Sequence, residues 1–115
     1  MRLEVKKYLY DIQQASELLA RFTSGKALGD YSADPLLRSG VERQFEDIGE
    51  ALGQMLKIEP GLSGDITESK RIIAFRNVLI HGYAVISHDV VWDVLKADLP
   101  RLVSEVDGLL QAEDP

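Results

Sequence analysis

Apolar side chains recur along this chain in steps of three and four, the spacing of one face of an α-helix. Val5, Tyr8, Leu9, Ile12, Ala15, Leu19 and Phe22 trace the first stripe. Thr23, Ser24 and Gly25 close it, and Gly25 suits a left-handed cap. Residues 26–33 read as a turn or a short helical piece. Asp34-Pro35 then predicts a helix start, because the carboxylate can cap free N–H groups and proline fits the first helical position. Leu37, Val41, Phe45, Ile48, Leu52 and Met55 give a long amphipathic helix that ends near Lys57, ahead of the Pro60-Gly61 break. Gly49 and Gly53 lie inside it, and each costs about 1 kcal/mol against alanine there. Their spacing predicts another helix approaching closely along that face.

Residues 63–67 are polar and turn-like. A third helix follows through Ile72, Ile73, Phe75, Leu79 and Ile80, with Gly82 as its expected terminator. Ser87 reads as an N-cap, with Asp89 in the first turn, for a short helix carrying Val90, Val91, Val94 and Leu95. Leu99-Pro100 is expected to interrupt that run, since proline disfavours helical geometry at the residue before it. Leu102, Val103, Val106, Leu109 and Leu110 mark a last helix. Only 83–86 has an ambiguous strand pattern. The expected fold is all-α, an antiparallel bundle of four to five helices forming one domain over residues 1–115.

Composition narrows the function classes. The chain has 115 residues, 45% of them hydrophobic and 28% charged, so it can bury one ordinary core. Cysteine is absent, which removes disulfides, thiolate metal sites and a thiol nucleophile. A net charge of −6 has the wrong sign for coating nucleic acid through bulk charge, so any RNA chemistry must rest on a local site. No run of about 20 apolar residues and no apolar leader is present, and a cytoplasmic protein is expected, with no membrane association.

Most catalytic signatures are missing: there is no phosphate-binding glycine loop, no metalloprotease helix and no nucleophile elbow. Two histidines without thiolates make no recognisable metal site, and neither metal nor cofactor is expected. What remains is Arg76-Asn77-Val78-Leu79-Ile80-His81-Gly82-Tyr83. Asn77 and His81 are four apart and share a helix face, with Arg76 beside them near the C-terminal end. An imidazole can move protons near neutrality, a guanidinium can hold a charged phosphorane and an amide can orient either. Those groups suit phosphodiester cleavage without metal. The spacing alone equally fits a solvated face and a cap to the helix carbonyls.

The R-x4-H-x-Y pattern of Arg76, His81 and Tyr83 resembles the motif of the HEPN superfamily, specifically its HepT-like toxins. The block from Val41 to Ala51 is similar to the family's second-helix signature, and the stretch from Val90 to Pro100 to its C-terminal part. The resemblance implies an all-α HEPN-type bundle that is the toxin of a toxin–antitoxin pair, encoded beside a MntA-type nucleotidyltransferase antitoxin. It implies a metal-independent endoribonuclease whose composite site is shared by two protomers of a homodimer. Arg76 would hold the scissile phosphate of the RNA substrate, His81 would act as base or acid, and Asn77 would orient them. The products would be a 2′,3′-cyclic phosphate and a 5′-hydroxyl. Tyr83 matches the tyrosine that the antitoxin modifies with AMP in this family, although as a residue it suits packing against the next loop equally well. Gly82 stands where many relatives carry a larger residue, which leaves the placement of Tyr83 open.

Other polar positions carry weaker expectations. Arg43, Asp47, Glu50 and Gln54 form a stripe opposite the core face of the long helix. They are read as a solvated face with an Arg43–Asp47 pair, or as residues flanking the cleft. Lys70 and Arg71 are candidates for a small basic patch. Trp92 reads as a core or interface anchor, and His88, at a helix start, is given no catalytic role. The competing functional class is a non-catalytic HEPN binding module that forms a complex with a nucleotidyltransferase.

Overall fold

The first helix runs from Leu3 to Thr23 and buries Val5, Leu9, Ile12, Ala15 and Leu19, the stripe expected from its spacing. This is a computed structural model, and it describes residues 1–81 and 86–113. Phe22 departs from the stripe and is partly exposed. In its place Ser16 and Thr23 turn inward, and their hydroxyls donate to the carbonyls of Ile12 and Leu19, each at 2.7 Å. Bonding back to their own helix is what lets these two hydroxyls be buried. Gly25 follows with φ of +71°, the left-handed cap the sequence predicts.

Residues 26–33 are not merely a turn. They include α2 (Leu28–Ala33), whose first turn is fastened by the Asp30 carboxylate accepting from the Ala27 N–H at 2.8 Å. The short helix exists because Tyr31 anchors it. Its ring is fully buried, edge-on to His88 and tilted against Trp92, with centroids 5.6 Å away in both cases. Burial, with a smaller push from Glu42, raises its phenol to about 12. His88 Nδ1 lies 3.0 Å from Ser32 Oγ, so this histidine ties α2 to the C-terminal half. Trp92 packs against the core, as an anchor should.

Helix α3 spans Pro35–Ile58. Asp34 caps it, accepting from the N–H groups of Leu36 at 3.0 Å and Leu37 at 3.2 Å. All six stripe residues from Leu37 to Met55 are buried. A 3-10 turn at Pro60–Gly64 and the buried Ile66 lead to α4, Ser69–His81. Thr67 is fixed before it by the Glu105 carboxylate, which accepts from the Thr67 backbone at 3.0 Å and hydroxyl at 2.8 Å.

Helix α5 (His88–Asp93) opens with the Ser87 hydroxyl accepting from the Asp89 N–H at 3.2 Å. Here the expected break at Leu99-Pro100 is not found. The backbone stays helical from α5 through a π-turn at Val94–Asp98 into α6, Leu99–Glu113. The Leu99 N–H bonds to the Val94 carbonyl five residues back. That wider turn precedes Pro100, whose missing N–H falls in the first turn of α6, where it is least disruptive.

The units are thus α1, α2, α3, α4 and the continuous α5–α6 rod, with no strand among the described residues. The fold class is all-α, a HEPN-type bundle, as expected. α3 packs on both α1 and α4, and α6 packs on α1. No helix among the described residues is long and apolar enough to cross a membrane.

Candidate functional site

Helix α4 differs from its neighbours. Only Ser69, Ile72 and Phe75 are buried among its 13 residues, and Phe75 stacks edge-on against Phe45 of α3 at 5.2 Å. Ile73 and Leu79 are partly buried, while Val78 and Ile80 are 43% and 48% exposed, against the expectation that Ile80 joins the core. The helix is therefore pinned by its first half, and its second half, which carries the candidate chemistry, faces outward.

Arg76 sits at the junction with α3. Its stem lies directly on Gly49: a Cβ built there would collide with Arg76 Cβ and Cγ. The expected close approach of a second helix is found at Gly49. It is not found at Gly53, which has open space around it. The guanidinium is held at both terminal nitrogens. Nη1 donates to Asn77 Oδ1 at 2.8 Å, and Nη2 pairs with Glu50 Oε2. Nε is buried without a hydrogen-bond partner. Glu50 is itself steadied by Gln54, whose Nε2 donates to Oε1 at 3.1 Å.

His81 is exposed at the end of α4, one turn beyond Asn77. Five residues separate it from Arg76, about 140° around the helix at 100° per residue. The structure thus brings Arg76, Asn77 and Glu50 into direct contact, and carries His81 on the same helix end but a different azimuth. Tyr83 and Gly82 lie outside the described residues.

The polar stripe on α3 divides. Arg43 Nε and Asp47 Oδ1 are 3.3 Å apart, the expected surface pair, and both are well exposed. Glu50 leaves that pair and serves Arg76 instead. A stripe read along one helix cannot say which neighbour will reach across, but Gly49 next to Glu50 is the signal that could have located the contact. Arg71 likewise leaves the expected basic patch. Its Nη2 is 3.3 Å from Asp93 and its Nε is 3.0 Å from Asp98 Oδ2. Asp98 is a buried carboxylate in the π-turn that sequence reading missed. Its Oδ2 has no aligned hydrogen bond, and burial pushes its pKa up despite the opposing pull of Arg71.

Between α1 and α3 runs a groove of about 490 Å³ lined by Lys7, Tyr8, Asp11, Gln44, Asp47 and Glu50 among others. Glu50 forms part of its wall and so stands between this open space and the Arg76 head.

The family profile described as Ribonuclease HepT-like matches residues 12–109. A Thermococcus cleftensis protein named "Probable ribonuclease HepT" is 31% identical over 109 residues, covering 95% of this chain and 98% of its own. A protein of Caldanaerobacter subterraneus named "Putative RNase" is 31% identical over 108 residues, covering 94% of this chain and 96% of its own. A Methanocaldococcus jannaschii protein, whose name joins gamma-glutamylcyclotransferase to RNase, is 31% identical over 99% of this chain. This chain spans about half of that relative, 51% of its length. No solved structure matches. With a profile covering most of its length and relatives aligned nearly end to end, the chain belongs to the HepT-like ribonuclease family.

Proposed function

We propose that residues 1–115 form one HEPN domain that is the toxin of a toxin–antitoxin pair, a metal-independent endoribonuclease silenced by a MntA-type nucleotidyltransferase. The observation that carries this reading is the Arg76–Asn77 hydrogen bond on the outward half of α4, with His81 exposed at its end, inside a family match over residues 12–109.

In the proposed reaction a ribose 2′-oxygen attacks the adjacent phosphorus as His81 takes its proton. The O2′–P bond forms, the P–O5′ bond breaks, and a second imidazole protonates the departing 5′-oxygen. The products are a 2′,3′-cyclic phosphate and a 5′-hydroxyl. Arg76 offsets the charge that gathers on the phosphorane, and Asn77 fixes the guanidinium. Two imidazoles on opposite sides of one phosphate would come from two copies of α4, since the chain's other histidine, His88, is engaged with Ser32 and Tyr31. The exposed Val78 and Ile80 beside Asn77 and His81 support such pairing, because a second protomer would cover them. Tyr83, two residues past His81, is the position where AMP from the antitoxin would add phosphate charge and repel RNA.

Expression of the chain alone tests this reading. Growth arrest with cleaved RNA is expected, and it should vanish in Arg76→Ala and His81→Ala. The competing reading, a non-catalytic module bound to a nucleotidyltransferase, draws on the net charge of −6 and the carboxylate already seated on Arg76. It predicts a stable complex with that partner and no cleavage by the freed chain.

A further inference from the structure

Arg76 carries its own anion. A carboxylate and a phosphodiester each present two oxygens sharing one negative charge, and both pair with the terminal edge of a guanidinium. Glu50 occupies that edge through Nη2, and buried Nε leaves no lateral edge for a second anion to use. Asn77, on Nη1, is neutral and does not compete for charge.

We infer that Glu50 is a displaceable anion surrogate at the RNA site: it holds Nη2 of Arg76, and phosphate takes that donor over as Glu50 lets go. The inference rests on the ribonuclease reading above. Three features make Glu50 a latch rather than the support that orients Arg76. The arginine stem is fixed at Cβ and Cγ against Gly49 and its Nη1 is held by Asn77, so its aim does not rest on the carboxylate alone. The Glu50 side chain is 51% exposed, which keeps the pair weak enough to exchange. Gln54 holds the other oxygen one turn along the same helix, and the α1–α3 groove gives the released carboxylate room. Glu50 therefore lowers affinity for weakly held anions, and a polynucleotide with several contacts overcomes it.

The test is binding of a 2′-O-methyl oligoribonucleotide, which cannot be cleaved by attack of a 2′-oxygen, to the full chain and to Glu50→Gln, Glu50→Asp, Arg76→Ala and Glu50→Gln/Arg76→Ala. Cleavage of the matching RNA by wild type and Arg76→Ala is measured in parallel. Glu50→Gln is expected to bind about three- to fivefold more tightly than wild type. Glu50→Asp should lie near wild type, and the gain should vanish in the double variant. Arg76-dependent binding in which Glu50→Gln is equal to or weaker than wild type overturns the latch and leaves the ribonuclease reading intact. A gain that persists without Arg76 also overturns it, as a general charge effect. Equal RNA cleavage by wild type and Arg76→Ala overturns the ribonuclease role of Arg76, and the latch with it.

Discussion

Arg76 and His81 are asked to do different work, and their replacements should differ accordingly. Removing the guanidinium withdraws charge stabilisation, and Arg76→Ala is expected to lower the cleavage rate by about 10²–10³-fold. Removing the imidazole withdraws proton transfer, and His81→Ala should cost about 10²–10⁴-fold. Both are read from single-turnover cleavage of a labelled RNA, with circular dichroism confirming that helix content is unchanged. Asp98 gives a prediction about stability. Its burial raises the folded pKa above the ordinary carboxylate value, so the folded state takes up a proton before the unfolded state does. Stability from this site therefore falls as pH rises from the unfolded carboxylate pKa through the raised folded one, and the cost of the buried charge is complete above it. Asp98→Asn should remove that dependence: its stability relative to wild type should be greater at neutral pH than at pH 4 in urea titrations. At this scale, residue type and spacing single out Arg76, Asn77 and His81 as candidates, and the Arg76–Asn77 contact follows from their adjacency. Glu50 was legible only as part of a polar stripe and Asp98 not at all, because their contacts come from side chains reaching across from another helix.

Helices were legible where an amphipathic stripe met a capping residue. Asp34-Pro35 starts α3 and Gly25 closes the turn after α1, both by local chemistry that needs no neighbour. α2 was legible only as a turn or a short helical piece, because six residues are too few for a stripe and its anchor is Tyr31 packed against His88 and Trp92. Pro100 misled because the rule for the residue before proline assumes an ordinary α-turn, and here a π-turn precedes it. The two glycines of α3 make a direct comparison. Gly49→Ala places a Cβ into the Arg76 stem and should destabilise by about 1–3 kcal/mol, with loss of cleavage as α4 is displaced. Gly53→Ala meets open space and should stabilise by up to about 1 kcal/mol through helix propensity. Denaturant midpoints of the two variants check both signs.

Among the described residues, the end of α4 exposes the apolar Val78 and Ile80 beside the candidate His81. The proposed shared site would account for that exposure: Val78 and Ile80 would seal the seam that brings two His81 side chains to one groove. Val78→Asp with Ile80→Asp should yield a folded monomer by sedimentation, inactive on RNA although Arg76 and His81 remain. The family was legible in the sequence because its motif and flanking blocks are local, whereas the proposed pairing between protomers would have no local sequence signature. The most direct test of the account is end-group analysis of RNA incubated with the purified chain in EDTA. It predicts 2′,3′-cyclic phosphate and 5′-hydroxyl ends, absent with Arg76→Ala and His81→Ala. Ends bearing 3′-hydroxyl and 5′-phosphate, or the same cleavage by both variants, would contradict it.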